Sequence, residues 1–392
     1  MPKPQPRFAD PVLITTTDAL AALCTRLATE PFVAIDTEFM RERTYYPELC
    51  VVQLGGTDDV AVIDAQAPGI DLAPLAALLA NPAVVKVFHA ARQDVEIFLY
   101  LFAAVPTPIF DTQIAAMVAG YGDQVGYDSL VSSLTSGAID KSHRFSDWSA
   151  RPLSAAQVVY AAADVTWLRI VYERLIAKLT QEDRLAWVGE EMAVLADPLT
   201  YRPEPETMWE RLRPRTSNRR LLGLLRAAAA WREREAQRID IPRQRLLKDE
   251  SLLEIAATAP TTAEALGRAR GVTRGFAEGK SGQALLAALR EAIALPDDAL
   301  PETPRAREGA KPSPALVALL KVLLTAKAEQ HNVAARLLAS GEELDRLASE
   351  DEPDVPALAG WRRDMFGADA LALKAGEITL GVEGKRIKLV RV

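Results

Sequence analysis

Cysteine is nearly missing from this 392-residue chain: Cys24 and Cys50 are the only two, and neither stands in a Cys-x-x-Cys or Cys/His cluster. That argues against a disulfide framework and a zinc ribbon. Histidine occurs three times, too sparsely and too widely spaced for a His-rich metal centre. A run of about 18 apolar residues is absent, and the opening MPKPQPRFADP places Lys3 and Arg7 ahead of no apolar stretch. Neither a membrane span nor a signal peptide is expected, and the chain is expected to be cytoplasmic. Gly/Ser low complexity is missing, as is the GxxxxGK[ST] loop that a helicase or other P-loop ATPase would need.

What is present is ordinary for a globular protein, with 49% hydrophobic, 25% charged and 6% aromatic residues. The length exceeds the ~250–300 residues at which a single core stops growing, so two or three domains are expected. The net charge of −7 conceals an asymmetry. Residues 1–200 hold 14 Lys/Arg against 25 Asp/Glu, and residues 201–392 hold 32 against 28. Between Arg211 and Lys248 there are 12 basic residues and only three acids, Glu233, Glu235 and Asp240. An acidic half suited to cations is followed by a segment suited to polyanions.

Up to about residue 200, short β-branched runs (FVAID, LCVVQLGG, VAVID, VVKVFHA and TPIFD) read as strands, with LAPLAALLA and VEIFLYLFA between them as helices. The first three strands follow one another closely, as in an antiparallel meander, and helices separate the later ones. The pattern predicts an α/β domain with a mixed sheet and flanking helices. Prolines 198, 203, 205 and 214 mark a boundary, after which every apolar pattern is helical. A second proline-rich break, LPDDALPETPRAREGAKPSP, divides the helical part into two modules, and GEITLGVEGKRIKLVRV ends the chain as a hairpin. The expected division is 1–200, 201–295, a linker at 296–312, 313–375 and a tail at 376–392.

The stretch FVAIDTEFM puts Asp36 and Glu38 two residues apart, hence on one face if the strand continues. Two like charges on a core strand are costly unless a cation neutralises them, which favours a divalent metal; the competing reading ends the strand at Ile35 and leaves both acids solvated. Asp94 lies at the start of a helix after a later strand, where an ordinary first-turn acid would also stand. In VVYAAADVTWL, Tyr160 and Asp164 are four apart and share a helix face.

Taken in order, these motifs resemble the DEDD superfamily of 3′→5′ exonucleases, with Tyr160 marking its tyrosine branch, since Val159 stands where the histidine branch has its His. TEFMRERTYYPELCVVQL, VFHAARQD, FDTQIAA and FSDWSARPLSAAQVVYAAADV are similar to the ribonuclease D family, and the helical modules resemble its HRDC domains. Ala91-Arg92 depart from the small or neutral pair expected there, which bears on substrate preference.

The resemblance implies a ribonuclease H-like fold followed by two HRDC-like domains. It implies that Asp36, Glu38, Asp94 and Asp164 hold two divalent cations, Mg²⁺ or Mn²⁺, while Tyr160 orients the attacking water. A phenol titrates near ~10 and is a weak base at neutral pH, so the hard cations, which oxygen ligands select, supply most of the water activation. His89, Phe39, Met40, Tyr45 and Gln53 are candidates for contacting the terminal nucleotides, against a plain core role for each. The expected reaction removes nucleoside 5′-monophosphates from RNA with a free 3′ end, with tRNA precursors as the implied partner and no protein partner inferable. A DNA exonuclease and a catalytically silent nucleic-acid adaptor are the alternatives.

Overall fold

The computed structural model describes residues 10–135, 137–140, 142–143, 146–302 and 313–392. These divide into two compact units: Met1–Glu38, Cys50–Asp197 and Gly309–Val392 form one, and Phe39–Leu49 with Pro198–Glu308 form the other. Most of the proline-rich linker expected at 296–312 lies outside the described residues.

A six-stranded sheet is built from β1 (Val12–Ile14), β2 (Phe32–Met40), β3 (Glu48–Gly55), β4 (Val60–Asp64), β5 (Val85–Phe88) and β6 (Ile109–Asp111), in the order β1-β4-β3-β2-β5-β6. β3 and β4 are antiparallel, with Gln53 opposite Val62. β2 with β5, β5 with β6, and β1 with β4 are parallel. The mixed sheet is the one the sequence predicts, with β1 added at its edge. That strand escapes a sequence reading because it is three residues long and leaves Val12 56% and Leu13 40% exposed.

The central strands are apolar on both faces, and helices cover them: α1 (Thr17–Leu27), α2 (Ala73–Ala80), α3 (Arg92–Phe102), α4 (Thr112–Val118), α5 (Tyr127–Leu134), α6 (Ala155–Gln181) and α7 (Leu185–Ala196). The longest, α6, begins with a capping box in which Ser154 and Gln157 satisfy each other's backbone N–H groups. It lies so close to the sheet that a Cβ on Gly55 would come within 3.1 Å of Val165 Cβ. Lys86 on β5 is wholly buried, and its ammonium donates to the carbonyls of Asn81, Val84 and Thr107, which matches its three N–H donors.

The C-terminal part of the chain forms the helices α14 (Pro314–His331), α15 (Ala335–Leu338), α16 (Gly341–Ser349), α17 (Gly360–Arg362) and α18 (Ala368–Ala375). They pack within the first unit. Trp361 stacks on Trp187 with ring centroids 4.7 Å apart, and Arg184 donates to the carbonyls of Val118, His331 and Asn332. Strands β7 (Ile378–Glu383) and β8 (Arg386–Arg391) close the chain as an antiparallel hairpin.

The second unit holds α8 (Arg219–Arg238), α9 (Arg243–Leu246), α10 (Asp249–Thr258), α11 (Ala263–Leu266), α12 (Arg274–Glu278) and α13 (Lys280–Ile293). Leu222, Leu225, Trp231, Leu252, Ile255, Leu266, Leu285 and Leu289 form its core.

Candidate active site

β2 does not stop at Ile35. It runs to Met40, so Asp36 and Glu38 stand on a strand and point together. Asp164, four residues after Tyr160 on α6, reaches the same place: carboxylate oxygens of Asp36, Glu38 and Asp164 all lie within 4.8 Å of one another. They open into a cavity of about 340 Å³ whose wall also includes Thr37, His89, Gly126, Tyr127, Asp128, Ile139, Tyr160 and Leu168. No lysine or arginine is among these residues.

Asp94 stands in the first turn of α3 but is not an ordinary solvated acid. It is the third residue of α3, is 6% exposed, and accepts from the Thr37 hydroxyl on β2. The start of α3 is fixed by Asp111 at the end of β6, whose carboxylate accepts from the N–H groups of Ala90, Ala91 and Gln113. Ala90 holds a left-handed φ of 59° there, a conformation that Asp111 helps to secure.

The electrostatics follow from four carboxyls in so little water. Burial and the Asp164 charge push Asp36 well above the usual carboxylate range. Burial, then Asp36, Asp164 and Asp94, push Glu38 up to about 9. Burial and Asp36 raise Asp94, and burial raises Asp164 to about 7. His89 moves the other way: burial lowers it, so the neutral imidazole faces the cavity with its Nδ1 3.0 Å from Thr112 Oγ1.

Tyr160 is flanked by the rings of His143 and Trp148, at centroid distances of 5.9 and 6.0 Å. The Trp148 loop is tied to the sheet through Arg151. Its Nε donates to both oxygens of Asp64 at 2.9 Å, Nη1 donates to the Trp148 carbonyl at 2.6 Å, and Nη2 donates to the Cys50 carbonyl at 2.9 Å. This gives the SDWSARPL part of the FSDWSARPL stretch a physical role: through Trp148 it props one side of the Tyr160 ring.

Of the other sequence candidates, His89 joins the acids. Gln53 sits wholly buried on β3, outside the cavity wall, with no hydrogen-bond partner for its amide among the described residues. Phe39 and Met40 complete β2 as half-buried residues of the second unit. Tyr45 is buried in that unit, where its phenol donates to Glu233 and accepts from Gln237 and Arg243. Tyr127, Asp128 and Asp111 are cavity or supporting residues that sequence reasoning missed. Tyr127 donates to the Asp164 carbonyl, and burial with the nearby acids holds its phenol protonated. Its one sequence signal is Gly-Tyr-Asp at a helix start, too common to single out.

The donor set fits a divalent cation. Hard oxygen ligands are gathered, no lysine or arginine stands among the described residues of the cavity wall to compensate their like charges, and burial makes that costly. Among the described residues, no helix is long and apolar enough to cross a membrane.

Comparison with known proteins finds relatives over nearly the whole chain. A family model described as 3′-5′ exonuclease matches residues 11–180, and one described as HRDC domain matches residues 222–289. The chain is 73% identical over 385 residues to ribonuclease D of Granulibacter bethesdensis, covering 98% of each. It is 68% identical over 383 residues to ribonuclease D of Gluconacetobacter diazotrophicus, again 98% of each. Among solved structures it is similar to Escherichia coli RNase D, described as an exoribonuclease involved in structured RNA processing. There the TM-score is 0.79 and the identity 32%, over 94% of this chain and 99% of that one.

Proposed function

The chain belongs to the ribonuclease D family of 3′→5′ exoribonucleases, and we propose that it shortens structured RNAs such as tRNA precursors with Asp36, Glu38, Asp94 and Asp164 as the ligands of two divalent cations. The observation that carries this is the meeting of three carboxylates within 4.8 Å on a cavity wall with no lysine or arginine among its described residues. Mg²⁺ or Mn²⁺ bound there would lower the barrier to water attack and neutralise charge on the phosphate and leaving oxygens. The protein's own part is placement. β2 and α6 hold the acids, α3 adds Asp94 through Thr37, and the Tyr160 phenol, a neighbour of Asp164 on one helix face, directs the water by hydrogen bonding. His89, neutral and on the cavity wall, is placed to contact the terminal nucleotide, with half-buried Phe39 and Met40 as further candidates; Tyr45 and Gln53 are buried and off the cavity wall, which favours a core role for both. The reading divides the chain into an exonuclease module at 1–200, an HRDC module at 201–295, a linker at 296–312, a second HRDC-like module at 313–375 and a tail at 376–392. Its place of work is the cytoplasm.

The test is digestion of matched 5′-labelled RNA and DNA, including a tRNA with extra 3′ nucleotides, in Mg²⁺, Mn²⁺ or EDTA. The expected result is metal-dependent release of nucleoside 5′-monophosphates from the RNA 3′ end. Preference for DNA would reassign the substrate, and binding without cleavage of either would make the chain an adaptor.

Tyr160 and its prop give a prediction of their own. Tyr160→Phe is expected to slow RNA hydrolysis on the order of 10²-fold, the scale of a lost positioning hydrogen bond. Arg151→Gln, which releases the Trp148 loop, is expected to slow it through the same group. The double variant should then be no slower than the slower single variant, because residues acting as a unit are not additive. Full additivity in single-turnover rates would show that Arg151 acts elsewhere.

A further inference from the structure

Asp111, which fixes the start of α3, is itself held. β6 is the last strand of the sheet, and the Asp111 N–H donates not to a strand but to Met192 Sδ of α7, 3.1 Å away. Both residues are buried, so this N–H depends on the sulfur. The next residue, Thr112, donates to the Phe88 carbonyl at 2.9 Å, while the Asp111 carboxylate accepts from Ala90 and Ala91. The turn at 111–112 thus grips residues 88–91, from which α3 and Asp94 set out. The position of α7 reaches Asp94 through one sulfur and one carboxylate.

α7 is in turn seated on the C-terminal helices. The Trp187 ring stacks on Trp361 with 8° between the planes, Arg184 lies over Trp187 at 5.2 Å, and Arg362 lies over Trp361 at 4.7 Å. Trp361 Nε1 has no hydrogen-bond partner among the described residues, so the ring contributes by stacking. Arg362 pairs with Glu191, the residue before Met192, and with Glu190 at 3.5 Å, and its Nε donates to the Leu337 carbonyl of α15 at 2.8 Å. Gly360 has φ +48°, and a Cβ there would stand 3.3 Å from Glu190 Oε1, so the Gly-Trp-Arg turn lies against α7 with little room for a side chain at 360. The charge of these helices points the same way. Residues 313–375 hold 7 Lys/Arg against 10 Asp/Glu, and 341–354 hold seven acids against Arg346 alone. Lys327, Arg346 and Arg362 are paired with acids. Such a charge balance disfavours a phosphate backbone as the partner of this module.

We infer that the C-terminal helical module is a positioning element of the nuclease: its Gly360–Arg362 turn seats α7, Met192 of α7 holds Asp111, and Asp111 sets the helix start that carries Asp94. The inference rests on the exoribonuclease reading for the reaction whose rate it governs. Trp361, Arg362 and Met192 are positioning residues, and none is among the described residues of the cavity wall. A shift of Asp94 by a fraction of an ångström would loosen metal binding and slow the chemical step while leaving RNA capture alone.

The experiment takes full-length wild type, W361L, W361F, R362Q, M192L and R362Q/M192L, each well below its melting midpoint. It measures single-turnover hydrolysis of an RNA dinucleotide, which offers almost no backbone to grip, Mn²⁺ affinity by thermal melting, and binding of a long RNA in EDTA. W361L and R362Q are expected to lower the maximal rate on the order of tenfold, with half-saturation within about twofold of wild type, and to weaken Mn²⁺ binding. W361F keeps a stacking ring and should stay near wild type. M192L conserves volume and removes the sulfur, so it should lose rate and Mn²⁺ affinity in the same direction. The double variant should be no slower than the slower single one. Binding of long RNA should be unchanged throughout. Should W361L fail to fold, R362Q and M192L carry the test. Wild-type rate and Mn²⁺ affinity in R362Q and M192L, full additivity in the double variant, or weaker RNA binding with dinucleotide turnover intact would each overturn the inference. If wild type binds Mn²⁺ but hydrolyses no RNA, the exoribonuclease reading fails and the Mn²⁺ affinities still decide the link from Arg362 to the site.

Discussion

Glu38→Gln is expected to cost on the order of 10³-fold or more in RNA shortening and, in the same protein, to raise the melting temperature in EDTA. The two effects share a cause. Glu38 is raised to about 9 by burial and by Asp36, Asp164 and Asp94, so its charge is a burden on the metal-free fold. A neutral amide of the same shape removes that burden along with a metal ligand. Melting with saturating Mg²⁺ and with EDTA reads both: wild type should gain from the metal, and the variant should start higher and gain less. A variant that melts lower than wild type in EDTA would mean that the Glu38 carboxylate holds the fold through hydrogen bonds, contrary to this account.

The second large effect is the dependence of metal binding on pH. Folding lifts Glu38 from an ordinary 4.5 to about 9 and Asp164 from 3.8 to about 7. Between the unfolded and folded values the native metal-free protein binds more protons than the unfolded chain, so its stability falls as pH rises through that window. A cation must displace those protons. Its apparent dissociation constant is therefore expected to fall about tenfold per pH unit for each proton released, approaching a plateau above pH 9. The stabilisation given by a fixed Mg²⁺ concentration should be small at pH 6 and grow steadily toward pH 9 in thermal melts. A constant stabilisation across that range would show that the acids are already ionised without metal.

The residues that meet at the cavity were legible where local periodicity alone decides direction. Asp36 and Glu38 share a face because a strand repeats every two residues, and Tyr160 and Asp164 share one because a helix turns in about four. Asp94 was legible only by its place in the order of motifs, since its bond to Thr37 joins a helix to a strand 57 residues away. Tyr127 and Asp128 were not legible, because a short helix delivers them to the cavity and nothing periodic marks them. The basic segment shows the opposite failure. Its composition was plain, but the acids and carbonyls that engage it include Asp297, Leu300 and Pro301, outside any local window. β1 was lost for want of length.

The division of the chain at Glu38 and Phe39 has a consequence for how the gene can be cut. The strand that carries the first two acids passes directly into residues 39–49, which belong with the helical unit. There Asp240 accepts from the N–H groups of Tyr45 and Tyr46, and Glu233 and Arg243 enclose the Tyr45 phenol. A truncation at residue 200 would therefore strand an eleven-residue segment without its acid and base partners, in the middle of the nuclease sequence. Each unit is assembled from separate stretches of the chain, so shuffling them by a single crossover would not transfer either one whole.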